Sequence, residues 1–251
     1  MRSLDLNADL GEGQMTDLAL LDIVSSCNVA CGGHAGDAES MRETVLAAAS
    51  RKVAIGAHPS YPDREGFGRR SGFLRPAELH APLTEQIQNL SAIVEDAGRR
   101  VGHVKPHGAL YNDAAVSREL ADAFCALVAG IDSDLSVMGP PDSELETAVR
   151  EAGLAFLREG FADRAYTRAG RLVARNEPGA LLTDKRAVTR QALSIAQKSR
   201  VRAANGDEIP LEVDSLCIHG DTPGAVSMAV AIRDALFAAG IRVAAAGAAR
   251  R

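Results

Sequence analysis

Tryptophan is absent from the 251 residues, and aromatic residues of every kind make up 4% of them. So thin a supply argues against a stacking platform for nucleic-acid bases or sugar rings. Cysteine is scarce as well: Cys27, Cys31, Cys125 and Cys217 are irregularly spaced, which argues against a disulfide framework and fits a reducing compartment. No stretch approaches the ~18 uninterrupted apolar residues of a membrane-spanning helix, and the opening Met1-Arg2-Ser3-Leu4-Asp5 lacks the apolar core of a signal peptide. A cytoplasmic location is expected. A long basic run is missing too; 33 acidic against 28 basic residues leave a net charge of -5, so neither nucleic acid nor an anionic membrane is expected as a partner. The expected partner is a small-molecule substrate.

What is present is an ordinary globular composition, 46% hydrophobic and 24% charged, of a length that suits one α/β domain over residues 1–251. Short β-rich runs alternate with amphipathic helical stretches, the pattern of parallel βα units. The runs are Ser3 to Asn7, Ser26 to Ala30, Val53 to Ala57, Val101 to Lys105, Leu135 to Met138, Ala155 to Glu159 and Ser215 to Ile218. Helical faces form from Met41, Val45 and Ala48, from Leu83, Ile87, Leu90 and Val94, and from Met228, Ala229, Ile232 and Leu236. Ser143 with Glu146 predicts a capping box for a further helix, and Pro82 is expected to kink the second one or delay its start. Two segments break the rhythm: a long Gly-, Arg- and Pro-rich loop from His58 to Phe73, and Ser199 to Val213, where Asn205-Gly206 predicts a β-hairpin. A closed barrel and an open doubly wound sheet both accommodate seven strands; the many polar strand ends favour the barrel.

Those strand ends carry the chemistry, and four of the six histidines lie there. Asp5, Asn7 and Asp9 alternate, so all three face one side of their strand, the interior of a barrel. Gly11-Glu12-Gly13 then makes a turn able to present Glu12. His34 follows two glycines, and Asp37 suits the N-cap of the next helix, a helix end that would also attract an anion. His58 ends the third run beside the long loop, on which Arg64, Arg69 and Arg70 could clamp a carboxylate or phosphate or simply be solvated. His103, Lys105 and His107 alternate in their turn; three cationic side chains on one interior face imply an anion among them. His103, deeper in its strand, reads as a satisfied core residue. His219 and Asp221 end the last run, and Glu159, Asp163 and Arg164 form either a further part of the site or a plain ion-pair network. Cys27 and Cys31 near His34 resemble metal spacing, but no second ligand pair is close, so they are expected to be buried and inert.

Six strings in fixed order, DLNADLGEG at 5–13, NVACGGHAGD at 28–37, GAHPSYPDREGFGRR at 56–70, VKPHGALYN at 104–112, EGFADRAYTRAGRLVAR at 159–175 and CIHGDTP at 217–223, resemble the LamB/YcsF family, whose members form the A subunit of bacterial 5-oxoprolinase. The chain departs from the common family pattern at Ala8, usually Cys, and Gly33, often aromatic. The resemblance implies a seven-stranded β/α barrel similar to the glycoside hydrolase/deacetylase-type barrel, and ATP-dependent opening of 5-oxoproline to glutamate together with B and C subunits. In that chemistry Asp9, Glu12, His34, His58, Lys105 and His107 are the expected catalytic groups, with Lys105 stabilising oxyanion or phosphoryl charge and His107 acting as acid or base. Asn7, Asp37, Arg64, Arg69, Arg70, His219 and Asp221 are the expected substrate or phosphate ligands. ATP has no Walker string to bind to, which leaves Arg69, Arg70 and Lys105, or the partner subunits. Two alternatives stand beside this reading: a metal-dependent deacetylase-like hydrolase with Asp9, His34 and His58 as ligands, and a non-catalytic subunit that binds the lactam.

Overall fold

A strand whose inward positions are Asp5, Asn7 and Asp9 can be buried only where neighbouring strands supply hydrogen-bond partners. Closure of the sheet upon itself supplies them in the computed structural model, which describes residues 2–72 and 74–246. Phe73 at the end of the long loop, Met1 and residues 247–251 lie outside the described residues.

The chain runs β1 (Ser3–Leu10), α1 (Asp17–Leu21), β2 (Ser26–Ala30), α2 (Ala38–Ser50), β3 (Ala54–His58), α3 (Pro76–Asp96), β4 (His103–Val104), α4 (Gly108–Val116), α5 (Arg118–Ile131) and β5 (Ser136–Gly139). It continues through α6 (Glu144–Glu151), β6 (Ala155–Phe161), α7 (Lys185–Lys198), β7 (Arg200–Arg202), β8 (Glu208–Pro210), β9 (Ser215–Cys217), α8 (Ala225–Ala238) and β10 (Arg242–Val243). Strands β1 to β6 pair in parallel in chain order, β9 follows β6, and β9 returns to β1 through Asp5 opposite Ser215 and Asn7 opposite Cys217. The result is a closed seven-stranded parallel barrel with flanking helices, so the open-sheet alternative falls. β10 adds to the first residues of β1, pairing Ser3 with Arg242.

Burial divides cleanly between the two faces of the barrel wall. Leu4, Leu6, Ala8 and Leu10 of β1 are buried in the apolar core, which also takes the predicted faces of α2, α3 and α8. Asp5, Asn7 and Asp9 are buried on the other side, in the polar interior. The four thiols are all buried and unpaired, and burial pushes Cys27, Cys31 and Cys125 up to about 12. Among the described residues no helix is long and apolar enough to cross a membrane.

Local chemistry explains most of the boundaries. Asp37 caps α2 by accepting from Glu39 N and Ser40 N, while Ser40 Oγ accepts from Asp37 N. Helix α3 starts at Pro76 without delay and runs through Pro82, an interior proline; its missing N–H leaves the Glu78 carbonyl without the intrahelical partner it would have at that position. At α6 the box is half made: Ser143 Oγ accepts from Glu146 N, but the Glu146 carboxylate takes Asp142 N. The hairpin forms as expected, with Val201 opposite Ile209. Helices α4, α5 and α7 lie where no helix was expected, and Ser117 separates the first two by capping α5.

Gly56 on β3 has the least room of the described glycines, because a Cβ there would fall 2.1 Å from His103 Nε2. Gly56→Ala is expected to cost about 1–3 kcal/mol of stability through overpacking. Urea unfolding checks this, and an unchanged midpoint would mean that the His103 ring moves freely.

Candidate active site

The interior of the barrel is wired from its floor upward. Asp5 accepts from Ser25 and Ser26 at 2.6 and 2.7 Å and from Ser215; burial, its largest influence, still raises its pKa. One layer up, Asn7 Nδ2 donates to Glu159 Oε1 and Ser215 Oγ, and Asn28 Nδ2 donates to Asn7 Oδ1 and Asp9 Oδ1, each contact between 2.8 and 3.0 Å. His103 Nε2 donates to Asn28 Oδ1 at 2.7 Å. Burial, with Lys105 and His58 adding to it, pushes His103 down to about 4, so it is the satisfied core residue its position implies.

Lys105 stands above this ladder, buried, its Nζ 2.8 Å from both Asp9 Oδ1 and Glu159 Oε1. Burial alone would discharge it, but Asp9 and Glu159 hold it charged well above the ordinary lysine value. Asp9 is likewise held ionised: burial raises its pKa, and His58 and Lys105 more than reverse that. Cys217 Sγ lies 3.3 Å from Lys105 Nζ, yet burial keeps it a thiol, its pKa pushed well up. The anion implied by the cations of β4 is therefore a pair of the chain's own carboxylates.

Beside Lys105 three imidazoles meet one carboxylate. Gly11 and Gly13, both at positive φ (75° and 82°), turn the chain so that Glu12 points back over the strand ends. Its Oε1 lies 3.0 Å from His34 Nε2, 3.4 Å from His107 Nδ1 and 3.9 Å from His58 Nε2. His34 and His107 stack in parallel at 3.5 Å, and His58 meets both edge-on. Burial lowers the pKa of His34, and lowers that of His107 much further with help from His34 and His58. Neutral imidazoles beside a carboxylate are the donors a divalent transition metal takes; Glu12, His34, His58 and His107 could together hold one.

The opposite wall is basic. After β6 the chain makes a long connection, residues 162–184, that sequence rhythm did not single out. Tyr166 anchors it by accepting from Phe161 N at 2.7 Å, and Arg171 ties it across to the carbonyls of Pro141 and Asp142. It brings Arg164 and Arg175 toward Arg69; Arg69 and Arg175 both bond Asp221 Oδ2, while Arg164 donates to the Val173 carbonyl and lies near Asp163. Burial, together with Arg175, lowers the pKa of Arg69 and of Arg164. His219 bonds Asp163 through Nδ1 at 3.0 Å; burial lowers its pKa but Asp163 overcomes this and raises it.

Floor and walls enclose a cavity of about 620 Å³ lined by Asp9, Glu12, His58, Lys105, His107 and Glu159 below and by Arg69, Arg164, Arg175, His219 and Asp221 at the sides. A second cavity, about 300 Å³ between α3 and α5, is apolar apart from His80. Of the expected site residues, Asn7 supports the floor from beneath and His34 stands behind His107. Three are occupied elsewhere. Asp37 spends its carboxylate on the α2 cap, filling with its own charge the helix end that was expected to attract an anion. Arg64 donates to the carbonyls of Gly32 and Gly36, and Arg70 pairs with Asp63 and Glu65 on its own loop. Arg175 and Tyr111, both lining the cavity, were not among the expected site residues; both lie within the strings that carry the family resemblance, which was the signal that could have found them.

The chain belongs to the LamB/YcsF family, which it matches over residues 4–251. It is 41% identical to a lactam utilization protein from Thermus thermophilus of known structure, with a TM-score of 0.90 over 97% of this chain and 99% of that one. More distant barrels share the fold. A cellobiose-phosphate cleavage protein assigned in Enterococcus faecalis is 14% identical at a TM-score of 0.59, covering 97% of each chain. A polysaccharide deacetylase from Bacillus cereus is 14% identical at 0.51, covering 100% of this chain and 95% of that one.

The pairing of His219 with Asp163 stabilises the fold fully below the ordinary histidine pKa of about 6.5, and that contribution is lost as pH rises through the raised value of His219. His219→Gln is therefore expected to melt below the parent protein at about pH 6, with a gap that narrows toward about pH 9. Thermal unfolding across that range reads it; a gap independent of pH would show that the pair carries no net charge interaction.

Proposed function

We propose that this LamB/YcsF-family chain opens the lactam ring of 5-oxoproline to glutamate with hydrolysis of ATP, acting as the A subunit beside B and C subunits. The observation that carries this reading is the charged Lys105, fixed between Asp9 and Glu159 on the floor of a cavity whose wall holds four arginines. The 41% identity to a lactam utilization protein supports a lactam as the substrate class.

A lactam resists water because amide resonance, reflected in the ~18–20 kcal/mol barrier to peptide rotation, makes its carbon a poor electrophile. Transfer of the terminal phosphoryl group of ATP to the amide oxygen removes that resonance and releases ADP. Water then adds to the carbon and gives up a proton, and the ring C–N bond breaks as the nitrogen takes one up. The acyl phosphate that remains is hydrolysed by a second water to glutamate and phosphate.

Lys105 lies where negative charge on the carbonyl oxygen can be stabilised. Asp9 Oδ2 is the proton acceptor, since Oδ1 is committed to Lys105 and Asn28. The acid for the leaving nitrogen is His219, which Asp163 keeps protonated to higher pH. His107, the group expected in that role, is unsuited to it: burial holds it neutral, and its Nε2–H is spent on the Phe67 carbonyl. Arg69, Arg164 and Arg175 match the substrate carboxylate or a phosphate group. With no phosphate-binding loop in the sequence, the adenosine portion of ATP is assigned to the partner subunits.

Glutamate and ADP release from 5-oxoproline and ATP is expected only when the chain is mixed with B and C subunits. In that mixture Arg175→Ala should raise KM for 5-oxoproline roughly 10- to 100-fold, the loss of one charge-assisted contact. Lys105→Met should cut turnover by about 10²–10³-fold while its melting curve confirms a folded chain. Full turnover with Lys105→Met would reduce the chain to a lactam carrier, and no turnover with partners that work beside another A subunit would remove the substrate assignment.

A further inference from the structure

Hydrogen bonds on the outer side of two histidines decide what their inner nitrogens can do. His58 Nδ1 lies 2.8 Å from the Lys105 carbonyl, and His107 Nε2 lies 3.0 Å from the Phe67 carbonyl. A carbonyl oxygen only accepts, so both of these nitrogens carry the ring proton. His58 Nε2 and His107 Nδ1 are then the ring nitrogens left to meet an ion, and they face each other at 3.0 Å. Two carboxylate oxygens join them: Glu12 Oε1 lies 3.4 Å from His107 Nδ1, and Asp9 Oδ2 lies 3.3 Å from His58 Nε2. These four atoms converge on the floor of the cavity, where carboxylate charge and ring nitrogens together favour a cation among them.

One shared proton can join the two imidazoles, and Glu12 Oε1 can accept from His34 Nε2 at 3.0 Å, but the same three ring nitrogens and carboxylate oxygen all lie within 4.8 Å of one another, close enough to surround a single ion instead. The local charge is in keeping with an ion: three carboxylates, Asp9, Glu12 and Glu159, gather around the single ammonium of Lys105, with His219 and Arg69 as the further cations in reach. The outer bonds of His58 and His107 to backbone carbonyls are those that orient metal-ligating imidazoles in general.

We infer that Glu12, His34, His58 and His107 form a binding site for one divalent transition-metal ion of the zinc class. Three imidazole nitrogens and one carboxylate oxygen suit zinc, cobalt or nickel and are a poor match for magnesium or calcium. The donor set differs from the one expected from sequence, in which Asp9 stood with His34 and His58. Asp9 is drawn away by Lys105, and Glu12 and His107 take its place. A rival cluster, Asp9 with Cys217 and His219, is filled by the Lys105 ammonium and by the Asp163 bond to His219. The inference goes beyond the lactam reading and stands without it, because metal binding is read here with no substrate present.

The test uses the full-length protein, stripped with a chelator and titrated with Co²⁺ followed by optical spectroscopy, metal analysis and calorimetry. One equivalent per chain is expected, with visible bands of a four-coordinate site and no thiolate charge-transfer band. Affinity should fall at least roughly 100-fold in Glu12→Gln and in His107→Gln, more than the ~10–100-fold typical of losing an outer partner, and stay unchanged in Cys217→Ser. Glu12 lies in a turn and its replacement leaves the barrel wall intact, so a folded variant is available even if His107→Gln unfolds. Binding of less than a tenth of an equivalent would overturn the site and leave a shared proton as the cation. A thiolate band that vanishes in Cys217→Ser would overturn it in favour of the rival cluster.

Discussion

Lys105 carries a positive charge into the interior of a closed sheet, where an unpaired ion costs several kcal/mol. The strands around it are arranged to meet that demand. β1 supplies Asp9, β6 supplies Glu159, and Asn7 and Asn28 hold those two carboxylates in place by donating to them. Because the partners come from strands on opposite sides of β4, the interaction exists only when the barrel is closed. The return of β9 to β1 closes it, and Ser215 on β9 is also the residue that links Asn7 to Asp5. Barrel closure and the charge balance of the site are one constraint.

Much of this was legible in sequence because a parallel strand buried on both sides has a strict rule of alternation. β2 falls within the limits its composition predicts, and the inward direction of Asp5, Asn7 and Asp9 follows from spacing alone. The convergence of His34, His58 and His107 follows from their places at successive strand ends. The arginine wall could not be read in the same way. Arg69 and Arg175 come to Asp221 from positions 152 and 46 residues away, through loops whose paths depend on tertiary contacts. Arg64, Arg69 and Arg70 look alike in sequence, yet two are spent on loop carbonyls and loop carboxylates and one reaches the cavity. Helices α4 and α5 were hidden for a different reason: Ser117 interrupts the period between them.

The cavity has two chemical halves. Its floor is acidic and imidazole-rich, and its side wall carries guanidinium groups in excess over carboxylates. A ligand with a negative end and a carbonyl a few bonds away would be oriented by that polarity before any specific contact forms. The connection after β6 is responsible for the division, since it brings Arg164 and Arg175 over a floor built by the other strands.

Each of the four thiols lies inside the barrel wall or its helix layer, and burial holds them protonated at neutral pH. A protonated, enclosed sulfur does not react with alkylating reagents. Labelling at Cys27, Cys31 or Cys217 must therefore wait until the sheet parts, so the rate of thiol modification keeps time with the opening of the wall. The protein contains its own clock for unfolding, with sulfurs on β2 and β9 reporting two different seams.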